Sequence, residues 1–233
     1  MSLVQLIDVR KTYRTGKIDY EALRGVNFAI EKGEFTALVG PSGSGKTTML
    51  NVIGGLDRAT RGSVLFEGED ITKWSLTKLA ELRLRKIGFI FQSYNLIPVL
   101  TARENIELAL ILRRWSSEDA RNRANELLEA VEIAEFAHKR PDEMSGGQQQ
   151  RIAVARAIAD RPALVLADEP TANLDSVTGD ALLTIMEKLN RDEGVTFLFS
   201  THDSRVVDRA RKVATIDDGV VVNEEYREKV AAM

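Results

Sequence analysis

An α/β fold built on a largely parallel sheet is what this sequence predicts, and three observations predict it. Short β-branched and apolar runs alternate with helical patterns along most of the 233 residues, as in chains of βα units. Central runs such as Ala163-Leu164-Val165-Leu166-Ala167 are apolar without a break, as parallel strands covered on both faces should be. A glycine-rich segment, residues 40–47, joins one such run to a helical stretch at 47–54, the place where a strand–loop–helix phosphate site belongs.

Strands are predicted at residues 3–9, 26–30, 35–39, 63–66, 87–91, 164–167, 196–200 and 213–216, with turns marked by Gly33, Gly62, Gly68 and Gly219. The early strands, around Gly25 and Gly33, read as antiparallel and hairpin-like. From about 101 to 140 the pattern is helical and contains no good strand. Thr101-Ala102-Arg103-Glu104 is a capping-box sequence in which Thr and Glu satisfy orphan amides at a helix start. Leu127, Leu128, Val131 and Ile133 form the apolar face expected of a second helix. The chain therefore reads as one domain, with residues 1–92 and 141–233 as core and 93–140 as a helical insertion. Residues 224–233 read as a short helix or a frayed tail.

Composition narrows the function classes. There is no cysteine, which excludes disulfides and thiolate metal sites. The 32 basic and 35 acidic residues leave a net charge of −3, with no like-charge block of the kind that forms a nucleic-acid arm. The N-terminus lacks the pattern of a secretory signal. No apolar run approaches the roughly 20 residues that span a bilayer, so work on a membrane requires docking onto another subunit.

Gly40-Pro41-Ser42-Gly43-Ser44-Gly45-Lys46-Thr47 fits the phosphate-binding loop at every fixed position. The glycines let consecutive amides point at phosphate oxygens at the positive end of a helix. Lys46 is expected to reach the β- and γ-phosphates, Thr47 to offer its hydroxyl to Mg²⁺, and Thr48 to bond an α-phosphate oxygen. Alone, the loop specifies a nucleoside triphosphate and no more. Leu164-Val165-Leu166-Ala167-Asp168-Glu169 ends an apolar strand in two carboxylates. Asp168 suits the Mg²⁺ shell and Glu169 suits a general base acting on water. A carboxylate aimed at water favours hydrolysis over phosphoryl transfer to another acceptor.

Met144-Ser145-Gly146-Gly147-Gln148 opens a second helical run and presents a hydroxyl and bare amides at its start, a further anion site. Here the sequence resembles the ABC ATPases, whose signature motif usually begins with Leu rather than Met144. The resemblance spans about 3–224 and implies an ABC ATPase fold: a mostly parallel core, an antiparallel β subdomain and an inserted helical subdomain. It also implies roles for four further segments. Gln92 matches the Q-loop glutamine that touches Mg²⁺ and water, and Ala172-Asn173-Leu174-Asp175 matches the D-loop at a dimer seam. His202 matches the switch histidine at the γ-phosphate, and Tyr13 the aromatic platform for adenine.

By the same resemblance, ATP and Mg²⁺ are the expected ligands. Two copies are expected to associate head-to-tail, each signature (Ser145, Gly146, Gly147, Gln148) closing on the other's ATP. Integral membrane permease subunits are the expected partners, with the chain on the cytoplasmic face of the cell membrane. The segment Ile87-Gly88-Phe89-Ile90-Phe91-Gln92 and the triple Gln148-Gln149-Gln150 resemble the branch of lipoprotein-releasing, macrolide-exporting and cell-division ATPases. A soluble ABC ATPase acting on DNA or ribosomes is the rival, and it lacks support because no coiled coil, second cassette or basic patch is present.

Overall fold

Residues 2–16 and 18–227 are described by a computed structural model. Its elements, in order, are β1 (Ser2–Thr15), β2 (Ile18–Glu31), β3 (Phe35–Val39), α1 (Lys46–Ile53), β4 (Arg61–Phe66), β5 (Glu69–Asp70), α2 (Leu76–Lys86), β6 (Ile87–Ile90), α3 (Ala102–Ile111), α4 (Ser117–Ala130), α5 (Gly146–Ile158), β7 (Leu164–Asp168), α6 (Ser176–Glu193), β8 (Thr196–Ser200), α7 (Ser204–Arg209), β9 (Lys212–Asp217) and β10 (Val220–Tyr226). They form two sheets, a four-stranded one ordered β2-β1-β4-β5 and a six-stranded one ordered β10-β9-β3-β8-β7-β6. Pairing in the first is antiparallel. In the second, β9, β3, β8, β7 and β6 run parallel and β10 returns antiparallel on β9.

The unbroken apolar runs have a direct explanation. Alternate residues of a strand face opposite sides, and here each side meets its own core. Phe35, Ala37, Val165, Ala167, Phe197 and Phe199 join the core that includes α3, α4, α5 and α6. Leu38, Leu164, Leu166 and Leu198 join a second core with α1, α2 and the antiparallel sheet. Neither face of the central strands meets water, so neither carries a polar alternation.

Thr101 caps α3 through the predicted box, its hydroxyl accepting from Glu104 N–H while the Glu104 carboxylate accepts from Thr101 N–H. The second predicted helix ends earlier than its apolar pattern: α4 stops at Ala130, and Glu132 turns the chain with φ 59°. Val131 and Ile133 are nonetheless buried in the same core, because a turn as well as a helix can deliver an apolar side chain. The C-terminal reading needs correction where the chain is described. Glu224–Tyr226 is neither helix nor frayed tail but the end of β10, paired to β9 with Tyr226 opposite Lys212. An exposed edge strand needs no apolar alternation, so its Glu-rich sequence hides it. Residues 228–233 lie outside the described residues. The helix α2 was not predicted; its mean hydropathy is low and only Leu79 and Leu82 are buried.

One close approach fixes how α5 sits on the sheet. A Cβ at Gly88 of β6 would lie 2.2 Å from the Ala157 carbonyl oxygen of α5. Gly88→Ala should therefore destabilise the chain by about 1–3 kcal/mol through overpacking, read as a lower midpoint in thermal unfolding. An unchanged midpoint would show that α5 can lift away freely.

Candidate nucleotide site

The carboxyl ends of β3, β7 and β8 open on a cleft of about 720 Å³, a size suited to a nucleotide-scale ligand. β3 runs into the loop 40–45, and α1 begins at Lys46 with Gly45 as its N-cap and no side-chain cap. The first amides of α1 thus remain open to a ligand. A Cβ at Gly40 would lie 2.1 Å from the Ile216 carbonyl oxygen, so the loop can pass this close to β9 only with glycine there. The Lys46 ammonium folds over the loop and donates to the carbonyls of Gly40 at 2.8 Å and Pro41 at 2.9 Å. Gly43, Ser42, Thr47 and Thr48 also line the cleft, whereas the Ser44 side chain is buried beneath the loop with its hydroxyl unpartnered.

Across the cleft, Thr47 Oγ1 donates to Asp168, 3.1 Å from Oδ2. A hydroxyl and a carboxylate meeting beside a phosphate loop are hard oxygen donors, the set that suits Mg²⁺ completed by water and phosphate oxygens. Gln92, just past β6, lines the same cleft and its carbonyl accepts from Asn173 Nδ2 at 2.9 Å.

Glu169 adopts a left-handed backbone, φ 48°, a conformation that costs a non-glycine residue about 1–3 kcal/mol and is held only by its surroundings. Those surroundings are clear. Its N–H donates to the Ser200 carbonyl at 2.8 Å, Thr201 Oγ1 donates to Oε2 at 3.2 Å, and Oε1 lies 2.7 Å from His202 Nδ1. The carboxylate is mostly buried while His202 is open to solvent. The strain and the contacts together aim Glu169 at the cleft.

The loop carrying His202 is anchored by residues the sequence reading passed over. Asp203 accepts from Arg205 and, at 2.6 Å, from Thr171 Oγ1. Arg205 also donates to the Ser176 carbonyl. The Arg205 hydrogen bonds, outweighing partial burial, lower the Asp203 carboxyl to about 2. The only advance signal was Asp203 before Ser204, an N-cap pattern.

Tyr13 lies on the α1 side: its hydroxyl donates to Asp57 at 2.8 Å and Lys11 Nζ sits 4.7 Å from its ring centre. Burial, then the Asp57 hydrogen bond, raise its pKa despite an opposing bond with Thr48. Its cross-strand partner Tyr20, absent from the sequence reading, lines the cleft and donates to the Gly43 carbonyl at 3.3 Å.

Ser145 is the N-cap of α5 and forms a capping box with Gln148. The hydroxyl accepts from Gln148 N–H at 3.3 Å, and Gln148 Oε1 accepts from Ser145 N–H at 2.9 Å. None of Ser145, Gly146, Gly147 or Gln148 lines the cleft that Lys46 and Glu169 share.

A family model described as ABC transporter matches residues 23–172. The chain belongs to the ABC transporter family. It is 47% identical over 225 residues to an uncharacterized ABC transporter ATP-binding protein of Thermotoga maritima, covering 97% of this chain and 96% of that one. It is 46% identical to the macrolide export ATP-binding/permease protein MacB of Syntrophobacter fumaroxidans, covering 95% of this chain but 31% of that larger protein. Among solved structures, the ATP-binding cassette MJ0796 of Methanocaldococcus jannaschii, a dimer in a post-hydrolysis state bound to ADP and phosphate, is similar with a TM-score of 0.90 and 45% identity over 97% of this chain and 99% of that one. The chain is thus an ABC ATPase with the predicted fold, on the branch that its sequence resembles.

The Asp203 anchor of this ABC cassette has a pH signature. A carboxyl depressed in the folded state contributes stability that is complete above its unfolded value, near 3.8, and fades as pH falls toward about 2. The difference in urea midpoint between the parent and Asp203→Asn should be widest above about pH 4 and narrow below it. A difference independent of pH would remove the charged Asp203–Arg205 contact as its source.

Proposed function

We propose that two copies of this chain bind Mg²⁺ and ATP head-to-tail and drive integral membrane partners from the cytoplasmic face of the cell membrane. The observation that carries the hydrolytic part is the Glu169–His202 contact, set in the same cleft as Lys46 and the Thr47–Asp168 pair. In this reading the amides and glycines of 40–48 cradle the phosphates, Lys46 leaves the loop carbonyls for phosphate oxygens, and Tyr13 faces the base. Thr47, Gln92 and Asp168 would hold Mg²⁺, which would supply charge neutralisation at the phosphates. Glu169 takes a proton from the attacking water at its carboxylate. His202 holds Glu169 in place and steadies the terminal phosphate. Positioning and electrostatics supply most of the acceleration, since phosphoryl transfer asks little covalent chemistry of a protein.

The head-to-tail pair is supported by the position of the signature. Ser145 and Gly147 stand at a helix start away from their own cleft, so they serve a nucleotide only on another copy; the solved relative is itself a dimer. Membrane partners are supported by the likeness to MacB. No helix among the described residues is long and apolar enough to cross a bilayer. We also read residues 93–140, with α3 and α4, as the helical subdomain between ATP site and membrane partner, and the remainder as the ATP-binding core.

Glu169→Gln should retain ATP binding, lower turnover by about two orders of magnitude or more, and accumulate an ATP-bound dimer in size-exclusion chromatography with light scattering. Turnover at the parent rate would remove Glu169 as base, and a chain monomeric at saturating ATP would remove the head-to-tail scheme. Chelation of Mg²⁺ should stop turnover in the parent.

A further inference from the structure

Among the described residues, five side chains have a buried polar atom without a hydrogen-bond partner: Ser44, Arg103, Glu107, Gln150 and Ser200. Two of these, Arg103 and Glu107, face each other as an ion pair. Of the rest, Ser200 alone lines the nucleotide cleft. Thr196, the other hydroxyl-bearing residue of β8, accepts from Gly33 N–H, whereas the buried Ser200 hydroxyl costs free energy without a partner to offset it.

Its placement explains what it is for. β8 lies between the strand that feeds the phosphate loop and the strand that ends in Asp168. Ser200 is the last residue of β8, paired with Leu38 on one side and Asp168 on the other. Neighbours in register on parallel strands share a sheet face, so Ser200 shares the face on which Asp168 meets Thr47. Its carbonyl is already taken by Glu169 N–H. The backbone of Ser200 therefore holds the candidate base, while its side chain lies on the sheet face that carries Asp168.

We infer that Ser200 is a further positioning residue, whose hydroxyl donates to an oxygen of the bound magnesium–triphosphate, either a phosphate oxygen or a metal-bound water. The inference rests on the ATPase reading above and adds a donor to it. A hydrogen bond to a charged acceptor is worth more than one between neutral groups, so its loss should be measurable in binding.

The test compares Ser200→Ala, Ser200→Thr and Ser200→Val, the last two having the same shape and differing only in the hydroxyl. Without nucleotide, Ser200→Ala should unfold thermally at or above the parent temperature, because an unpartnered buried hydroxyl is removed. With Mg·ATP, calorimetric affinity should fall roughly ten-fold or more in Ser200→Ala and Ser200→Val, with Ser200→Thr close to the parent. Repeating the titration with ATP and a chelator separates the acceptors: a loss confined to the Mg²⁺ arm marks a metal-bound water, and a loss in both arms a phosphate oxygen. Lys46→Ala controls the underlying reading. If Lys46→Ala abolishes binding while Ser200→Ala binds Mg·ATP as the parent does, the inference falls and the ATPase reading stands. A Ser200→Ala variant destabilised without nucleotide, or Val and Thr variants of equal affinity, would also overturn it. A parent that binds no ATP overturns both.

Discussion

The site depends on three parallel strands ending together. β3, β8 and β7 pair without a register break, Leu38 with Ser200 and Ser200 with Asp168. The loop 40–45, Asp168 and the loop carrying His202 therefore leave the sheet at the same end of neighbouring strands. A parallel ladder cannot shift by one residue without exchanging which side chains face each core, and here the exchange would move Phe197 and Phe199 out of one core and Leu198 out of the other. The position of Asp168 relative to Thr47 is thus set by hydrophobic register along the strands. A polar site held at this accuracy rests on a core that is apolar on both faces.

Beyond the strand ends, precision comes from backbone contacts. Glu169 N–H reaches back to Ser200, and Thr201 N–H reaches Leu38, so the strained turn at Glu169 is tied to the neighbouring strand. Asp203 then joins the histidine loop to Thr171 and, through Arg205, to the start of α6. Strain at Glu169 and charge at Asp203 lie on opposite sides of the same short stretch. Thr171, two residues after Glu169, thus links the strained turn to the Asp203–Arg205 pair.

This division explains what could be read from the sequence. The strands 35–39, 164–167 and 196–200 and the phosphate loop were legible because each has a local cause: apolar runs between helices, and glycines before a lysine. Asp168 and Glu169 stood out as a carboxylate pair ending an apolar strand, whereas His202 was singled out only through the family resemblance, since nothing local distinguishes a histidine after a strand. The β10 edge was not, because little of it is buried, and α2 was passed over although Leu76, Leu79 and Leu82 recur at helical spacing behind the Ser75 N-cap. Tyr20 was invisible for another reason. It reaches the cleft only through its pairing with Tyr13, and register between two long, bulged strands is a property of the pair. Ser200 likewise looks like the polar end of a strand until its hydroxyl is found buried among the nucleotide-facing residues.

Several other contacts between loops have a different form: side chains reach backbone carbonyls. Arg156 of α5 donates to Tyr94 and Asn95, two successive residues with positive φ. Burial lowers the Arg156 pKa, and no carboxylate pairs with it among the described contacts. Asn173 donates to Gln92, and Gln150 to Pro170. A carbonyl is present whatever residue bears it, so these ties fix the course of the chain while leaving side chains along it free to differ. The segment after Gln92 is therefore held to α5 through its backbone carbonyls, and the Tyr94 hydroxyl beside Gly146 and Leu96 on the core add side-chain packing. Asn173 also ties the loop following Glu169 to the Gln92 carbonyl, so α5, the segment 92–95 and that loop form one connected set of contacts.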